Sequence, residues 1–177
     1  MNDKKSKWIM VDVEADGPCP GLYSMICFGA IVVDRDMNKT FYGRIKPISE
    51  GWIPDALEVS GFTREETLKF QDPQKVMLDF EAWMLRLGIE KPRFISDNNG
   101  FDWQFINYYF WRFLKRNPFG HSSTNLGSLY KGIVRDNFRT FKRLRDTKHT
   151  HNPVDDAKGN VEALIKIIDK YSLKGYL

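Results

Sequence analysis

The run Trp8-Ile-Met-Val-Asp-Val-Glu14 constrains this chain more than any other stretch. It opens with four consecutive apolar residues. A start of that kind reads as a strand buried on both faces, and such strands lie in the middle of sheets covered by helices. Its end breaks the pattern. Asp12 and Glu14 stand two apart, so both side chains leave one face at the strand's carboxyl end. Two unpaired carboxylates are costly to bury without a cation, and that end of an open α/β sheet is where ligands bind. An amphipathic edge strand with a wet outer face would explain the alternation but not the apolar lead.

The rest of the chain supplies a sheet around this strand. Met25–Asp34 and Thr40–Lys46 read as two further strands, with 34–39 as the turn between them. The segment 54–70 is polar and mixed, a loop with short helical turns. A helix is expected from Asp72-Pro73, where the acid caps and proline fits the first turn. Val76, Phe80, Trp83, Met84 and Leu87 fall on one face of it, and Gly88 stops it. Arg93–Ser96 reads as a short strand, followed by an aromatic helix from near Asp102, a helix between Thr124 and Asn137, and a last one from about Asp155 to Tyr171. Early strands followed by alternating helix and strand predict an α/β fold, a mixed sheet flanked by helices.

With 177 residues there is room for one well-buried core, so one domain over 1–177 is expected. Hydrophobic content of 42% argues against disorder, and a net charge of +4 permits a polyanionic partner without requiring one. Cys19 and Cys27 form no CxxC pair and read as thiols of a reducing compartment. The start has only a short apolar run before Asp12, unlike a secretory signal, and no segment is long enough to cross a bilayer. A cytoplasmic location is expected.

More carboxylates occur where such a fold brings strand ends and helix starts together. Asp102 in SDNNGFDWQFI opens a helix, and HTHNPVDD carries His149, His151, Asp155 and Asp156. Each acid alone is explained by the helix dipole. Converging at one sheet edge, four acids would make an oxygen-rich site suited to Mg²⁺ or Mn²⁺ rather than zinc. Two such ions about 3.5–4 Å apart activate water and stabilise the leaving oxygen in phosphodiester hydrolysis. A base is then needed, and a histidine fits.

These residues resemble the DEDDh 3′→5′ exonucleases, the DnaQ-like and RNase T-like enzymes of the ribonuclease H-like fold. DVEADGP is similar to the first motif, DNNGFD to the second, and HNPVDDA to the third, in the family's order. A further echo is PDALEVSGFTREE, similar to the segment between the first two motifs. The resemblance implies that Asp12, Glu14, Asp102 and Asp156 bind two Mg²⁺ or Mn²⁺ ions and that His151 is the base. His149 and Asp155 have the wrong spacing and are expected to be bystanders. The chain departs from the pattern at Ala15, where many relatives have Thr, at Ser60 and Asp97, where histidines are common, and at Pro153 in place of Ala.

The same resemblance implies a substrate, the 3′ end of single-stranded RNA or DNA, hydrolysed to nucleoside 5′-monophosphates, with RNA slightly favoured. Asn98 occupies the Asn position of the second motif. Ala15 and Leu57 are expected near the terminal nucleotide. Arg139, Lys142, Arg143 and Arg145 form a basic run ahead of His151 suited to phosphates. Some of the aromatics Trp103, Phe105, Tyr108, Tyr109, Phe110 and Trp111 are available to stack on bases. Relatives of the RNase T type are often dimers, so a homodimer is among the arrangements implied; a membrane partner is not. The rival readings are a DNA repair or proofreading exonuclease and a non-catalytic module gripping 3′ ends. A zinc-binding structural protein comes last, for want of a four-ligand spacing.

Overall fold

A computed structural model describes residues 6–177. Its centre is a five-stranded sheet in the order β3-β2-β1-β4-β5, made of β1 (Ser6–Ala15), β2 (Met25–Val32), β3 (Thr40–Arg44), β4 (Lys91–Ser96) and β5 (Ser123–Asn125). β1 pairs antiparallel with β2 and parallel with β4, so the strand with the apolar lead is central, as its sequence predicts. Every residue of β2 is buried.

Helices cover both faces. α1 (Pro54–Val59) and α2 (Arg64–Thr67) are the short turns expected in the polar segment. α3 (Pro73–Arg86) is capped by the Asp72 side chain, which accepts the Lys75 N–H at 3.1 Å. Val76, Phe80, Trp83 and Met84 of α3 face inward as their spacing predicts, whereas Leu87, past the last helical turn, is exposed.

The aromatic helix α4 (Asn99–Tyr109) starts three residues earlier than expected, with Asn98 at its cap position, and runs on into a π-helical turn, Phe110–Leu114. Phe105, Tyr109 and Phe110 are fully buried and Trp111 is exposed, so most of the aromatic run is core. α5 (Leu126–Val134) follows β5, a strand the sequence did not announce, and α6 (Pro153–Tyr171) closes the chain.

Alternation along β1 divides the core. Ile9, Val11 and Val13 pack with Phe28, Phe80 and Phe105 on the α3/α4 face. Met10 packs with Ile31, Ile95, Val161 and Leu164 on the α6 face. Asp12 and Glu14 continue the Met10 side of the strand and so emerge under the start of α6.

Candidate active site

Across the sheet, Asp12 lies in the row Asp12–Gly29–Tyr42 and Glu14 in the row Glu14–Cys27–Arg44. Gly29 decides what can sit above them. A Cβ there would come within 2.4 Å of the Pro153 carbonyl group and 2.5 Å of the Val154 nitrogen. The missing side chain therefore lets α6 begin directly on β2, and that approach carries Asp156 over β1. One carboxylate oxygen each from Asp12, Glu14 and Asp156 lie within 4.8 Å of one another.

Asp156 is fixed from the other side by the backbone. It accepts the Thr150 N–H at 3.1 Å and the His151 N–H at 3.0 Å. This folded-back segment requires His151 in the left-handed region, at φ 59°, which is rare for a non-glycine residue. His151 Nδ1 ends 3.7 Å from Glu14 Oε1, with the side chain about half exposed.

Asp102 arrives from the opposite side. The parallel ladder between β1 and β4 stops at Met10–Ile95. Beyond it the Val13 N–H is taken at 3.1 Å by Asp102 Oδ1. Its other oxygen, Oδ2, is buried without a hydrogen-bond partner.

The electrostatics follow from this crowding. Burial raises the Asp12 carboxyl well above its ordinary range, and Asp102, Asp97, Glu14 and Asp156 add to the shift. Burial, then the Asp97 charge, raises Asp102 in the same way. Burial, then Asp156, pushes Glu14 up to about 8. The charges that raise Asp12 and Glu14 come from neighbouring carboxylates. Clustered buried acids that raise one another, one of them with an orphaned oxygen, fit a hard divalent cation such as Mg²⁺ or Mn²⁺. The oxygen donors would come from Asp12, Glu14 and Asp156, with Asp102 beside them.

The residues expected near the nucleic acid divide. Asn98 is exposed and lines a groove of about 540 Å³ with Asn125, Lys131, Arg139 and Lys142. Arg143 is exposed in the neighbouring hollow, beside Phe138 and Arg139. Arg139 pairs with Asp136 at 3.2 Å and Lys142 with Asp97 at 3.6 Å, both remaining largely exposed.

Three residues are not placed as expected. Arg145 turns inward, its side chain only 7% exposed, onto Asp97 at 3.0 Å and onto the Asn160 side-chain oxygen. It anchors the segment before His151 instead of facing a phosphate. Leu57 is 2% exposed on the inner face of α1, and Ala15 is buried where β1 meets Met25. Neither offers a surface to a base. The exposed apolar groups near this strand end are Leu22 and Trp52. Asp16, buried and paired with Arg64 at 2.9 Å, accepts the Ile53 N–H on its backbone oxygen and so ties the Trp52 segment to β1.

Two residues of this geometry were not picked out in the sequence. His149 is no bystander in geometry: its Nδ1 lies 2.8 Å from Asp156 Oδ1, and its ring centre is 4.3 Å from that of His151. Gly29 carried a signal, an isolated glycine in an apolar strand, which marks close backbone approach.

The family model described as exonuclease, RNase T, matches residues 9–164. The chain belongs to this exonuclease family. It is 36% identical over 184 residues to the 3′-5′ DNA exonuclease Cap18 of Escherichia coli, covering 98% of this chain and 97% of that protein. Among solved structures, cell-death related nuclease 4 superimposes with a TM-score of 0.76 at 15% identity, over 93% of this chain and 64% of that one. A zinc-bound complex of E. coli ExoI with single-stranded DNA gives a TM-score of 0.73 at 17% identity, over 94% and 41%. A 3′-exonuclease described as recognising the 3′ end of a histone mRNA stem-loop gives 0.73 at 16%, over 94% and 65%. The chain thus spans less than two thirds of each of these three structures. They share its ribonuclease H-like fold. Among the described residues, no helix is long and apolar enough to cross a membrane.

Proposed function

We propose that the protein removes nucleotides from the 3′ end of single-stranded DNA by metal-dependent hydrolysis of the DEDDh type. Residues 1–177 would act as one catalytic unit. The observation that carries this reading is the meeting of Asp12, Glu14 and Asp156 oxygens within 4.8 Å, with His151 at their rim. Asp102 completes the four acids.

Asp12, Glu14, Asp102 and Asp156 would hold two Mg²⁺ or Mn²⁺ ions. When bound, such ions polarise the scissile phosphate and acidify the attacking water. The chain's own residues do the rest. His151, exposed at the rim beside Glu14, accepts the proton from the water as its oxygen attacks phosphorus. The bond to the preceding 3′ oxygen breaks, releasing a nucleoside 5′-monophosphate and leaving a new 3′ hydroxyl. Asn98, Lys142 and Arg139 in the groove, with Arg143 in the hollow beside it, hold the following phosphates. Leu22 and Trp52 replace Leu57 as the apolar surface for the terminal base.

DNA is chosen over the RNA preference expected from the sequence because of the Cap18 relative, which matches nearly end to end. The test uses matched 5′-labelled single-stranded DNA and RNA oligonucleotides in Mg²⁺, Mn²⁺ or EDTA, with Asp12→Ala in parallel. A metal-dependent ladder shortening from the 3′ end, faster on DNA and absent in the variant, is expected. A faster RNA ladder would reverse the substrate, and intact oligonucleotides that still bind in a gel shift would leave a 3′-end-binding module instead.

A further inference from the structure

We propose that His149, His151 and Asp156 form a second cation site, selective for Zn²⁺ and its late first-row neighbours, whose occupation shuts the nuclease. One ligand atom from each of the three lies within 4.8 Å of the others. His149 Nδ1 is already 2.8 Å from Asp156 Oδ1, and the two ring centres stand 4.3 Å apart, edge to face at 66°. Both imidazoles are about half exposed, so a cation reaches them from solvent, while the carboxylate is 1% exposed and held by two backbone N–H groups. The set has one fixed anchor and two adjustable arms. Three ligands at about 2.0–2.2 Å from zinc stand about 3.3–3.6 Å apart in a tetrahedron, a contraction from the 4.8 Å bound that the half-exposed rings are free to make by rotation.

The chemistry of the donors sets the selectivity. Asp12, Glu14 and Asp156 offer only hard oxygens, whereas the second set offers two imidazole nitrogens and one oxygen. Imidazole favours Zn²⁺, Cu²⁺ or Ni²⁺ over Mg²⁺ and Mn²⁺. Three protein ligands with a fourth position left to water is also a common zinc arrangement. The two sets share Asp156, so a cation held by the histidines draws that carboxylate from the oxygen site and occupies the His151 nitrogen that would accept the proton. Zinc binding rests on the geometry alone; the shut-off rests also on the function proposed above.

The test separates the two. Zn²⁺ is titrated calorimetrically into the metal-free protein and into His149→Gln and Asp12→Ala, and Co²⁺ is added to each to read visible absorption from a nitrogen-containing site. His149→Gln keeps a donor for Asp156 and removes a good zinc ligand, so it distinguishes ligation from a structural hydrogen bond; circular dichroism verifies that each variant is folded. One zinc retained in Asp12→Ala, and weakened about tenfold or more in His149→Gln, is expected. In Mg²⁺-supported digestion, the Zn²⁺ concentration that halves the rate should rise about tenfold in His149→Gln. Zinc affinity unaffected by His149→Gln, or lost in Asp12→Ala, overturns the site. Equal half-inhibiting concentrations overturn the shut-off. Absence of digestion in any metal, with the calorimetric pattern intact, overturns the nuclease reading and not the site.

Discussion

The backbone of Pro153 rests on Gly29, close enough that a methyl group on the glycine would stand 2.4 Å from the proline carbonyl. That contact fixes the height of α6 above β2, and with it the distance from Asp156 to Asp12. Gly29→Ala is therefore expected to lift the start of α6. Overpacking of this kind costs about 1–3 kcal/mol, and turnover should drop about tenfold or more through misplacement of Asp156. Thermal denaturation and a single-turnover digestion check both; a variant with wild-type rate would show that α6 sits elsewhere during catalysis.

Asp12→Ala removes one of the mutually repelling buried acids. Turnover should vanish while the metal-free protein melts several degrees higher, since each kcal/mol moves the midpoint by about 2–4 °C at this size. Differential scanning calorimetry in EDTA reads it. A lower midpoint would make Asp12 a structural residue.

Glu14 gives a pH signature. Its folded value, about 8, lies above the ordinary 4.5, so the folded state binds the extra proton. Its contribution is complete below the unfolded value and is lost as pH rises through about 8. The metal-free protein should thus lose stability from pH 5 to pH 8 (about the span of that shift), and Mg²⁺ should flatten the decline by taking the proton's place. Denaturant midpoints across that range, with and without Mg²⁺, decide it.

His151→Ala should lower turnover by about 10²–10⁴, the usual worth of a positioned base. Mg²⁺ affinity should stay nearly unchanged, because the oxygen donors remain. A comparable loss of Mg²⁺ affinity by calorimetry would make His151 a ligand.

Arg145 and Arg143 should part company. Arg145→Ala leaves Asp97 without its inward partner close to Asp12 and Asp102, and breaking a buried pair costs about 3–5 kcal/mol. Arg143→Ala should leave stability alone and weaken binding to single-stranded DNA, reducing the salt dependence by about 0.7 of a counterion. Melting curves and salt-titrated binding distinguish the two.

Much of this was legible in the chain. The apolar lead of β1, the cap at Asp72 and the face of α3 are local patterns, and local physics settles them. The three acidic motifs were legible by resemblance, and oxygens of the first and third, from Asp12, Glu14 and Asp156, lie within 4.8 Å of one another. What escaped depended on contacts between distant segments. Arg145 reads as one more cation in a basic run until Asp97 and Asn160 are seen to receive it. Leu57 reads as an exposed loop residue until α1 turns it under. The early start of α4 at Asn99 and the π-helical turn after it, whose Phe110 packs on Phe80 of α3 and on Phe119, depend on tertiary contacts that spacing alone does not encode. His149 was dismissed on spacing, but a single left-handed residue at 151 brings its ring back to Asp156.

The acids come from places far apart along the chain, Asp12 and Glu14 near one end of it and Asp156 on its last helix. On the proposed reading, the order of synthesis separates the two halves of the site. The strand with the first two acids emerges early, but cutting power waits for α6, which settles only after nearly every other element has been made. On that reading, a chain cut between α5 and His151 keeps Asp12 and Glu14 but loses both the base and the Asp156 carboxylate.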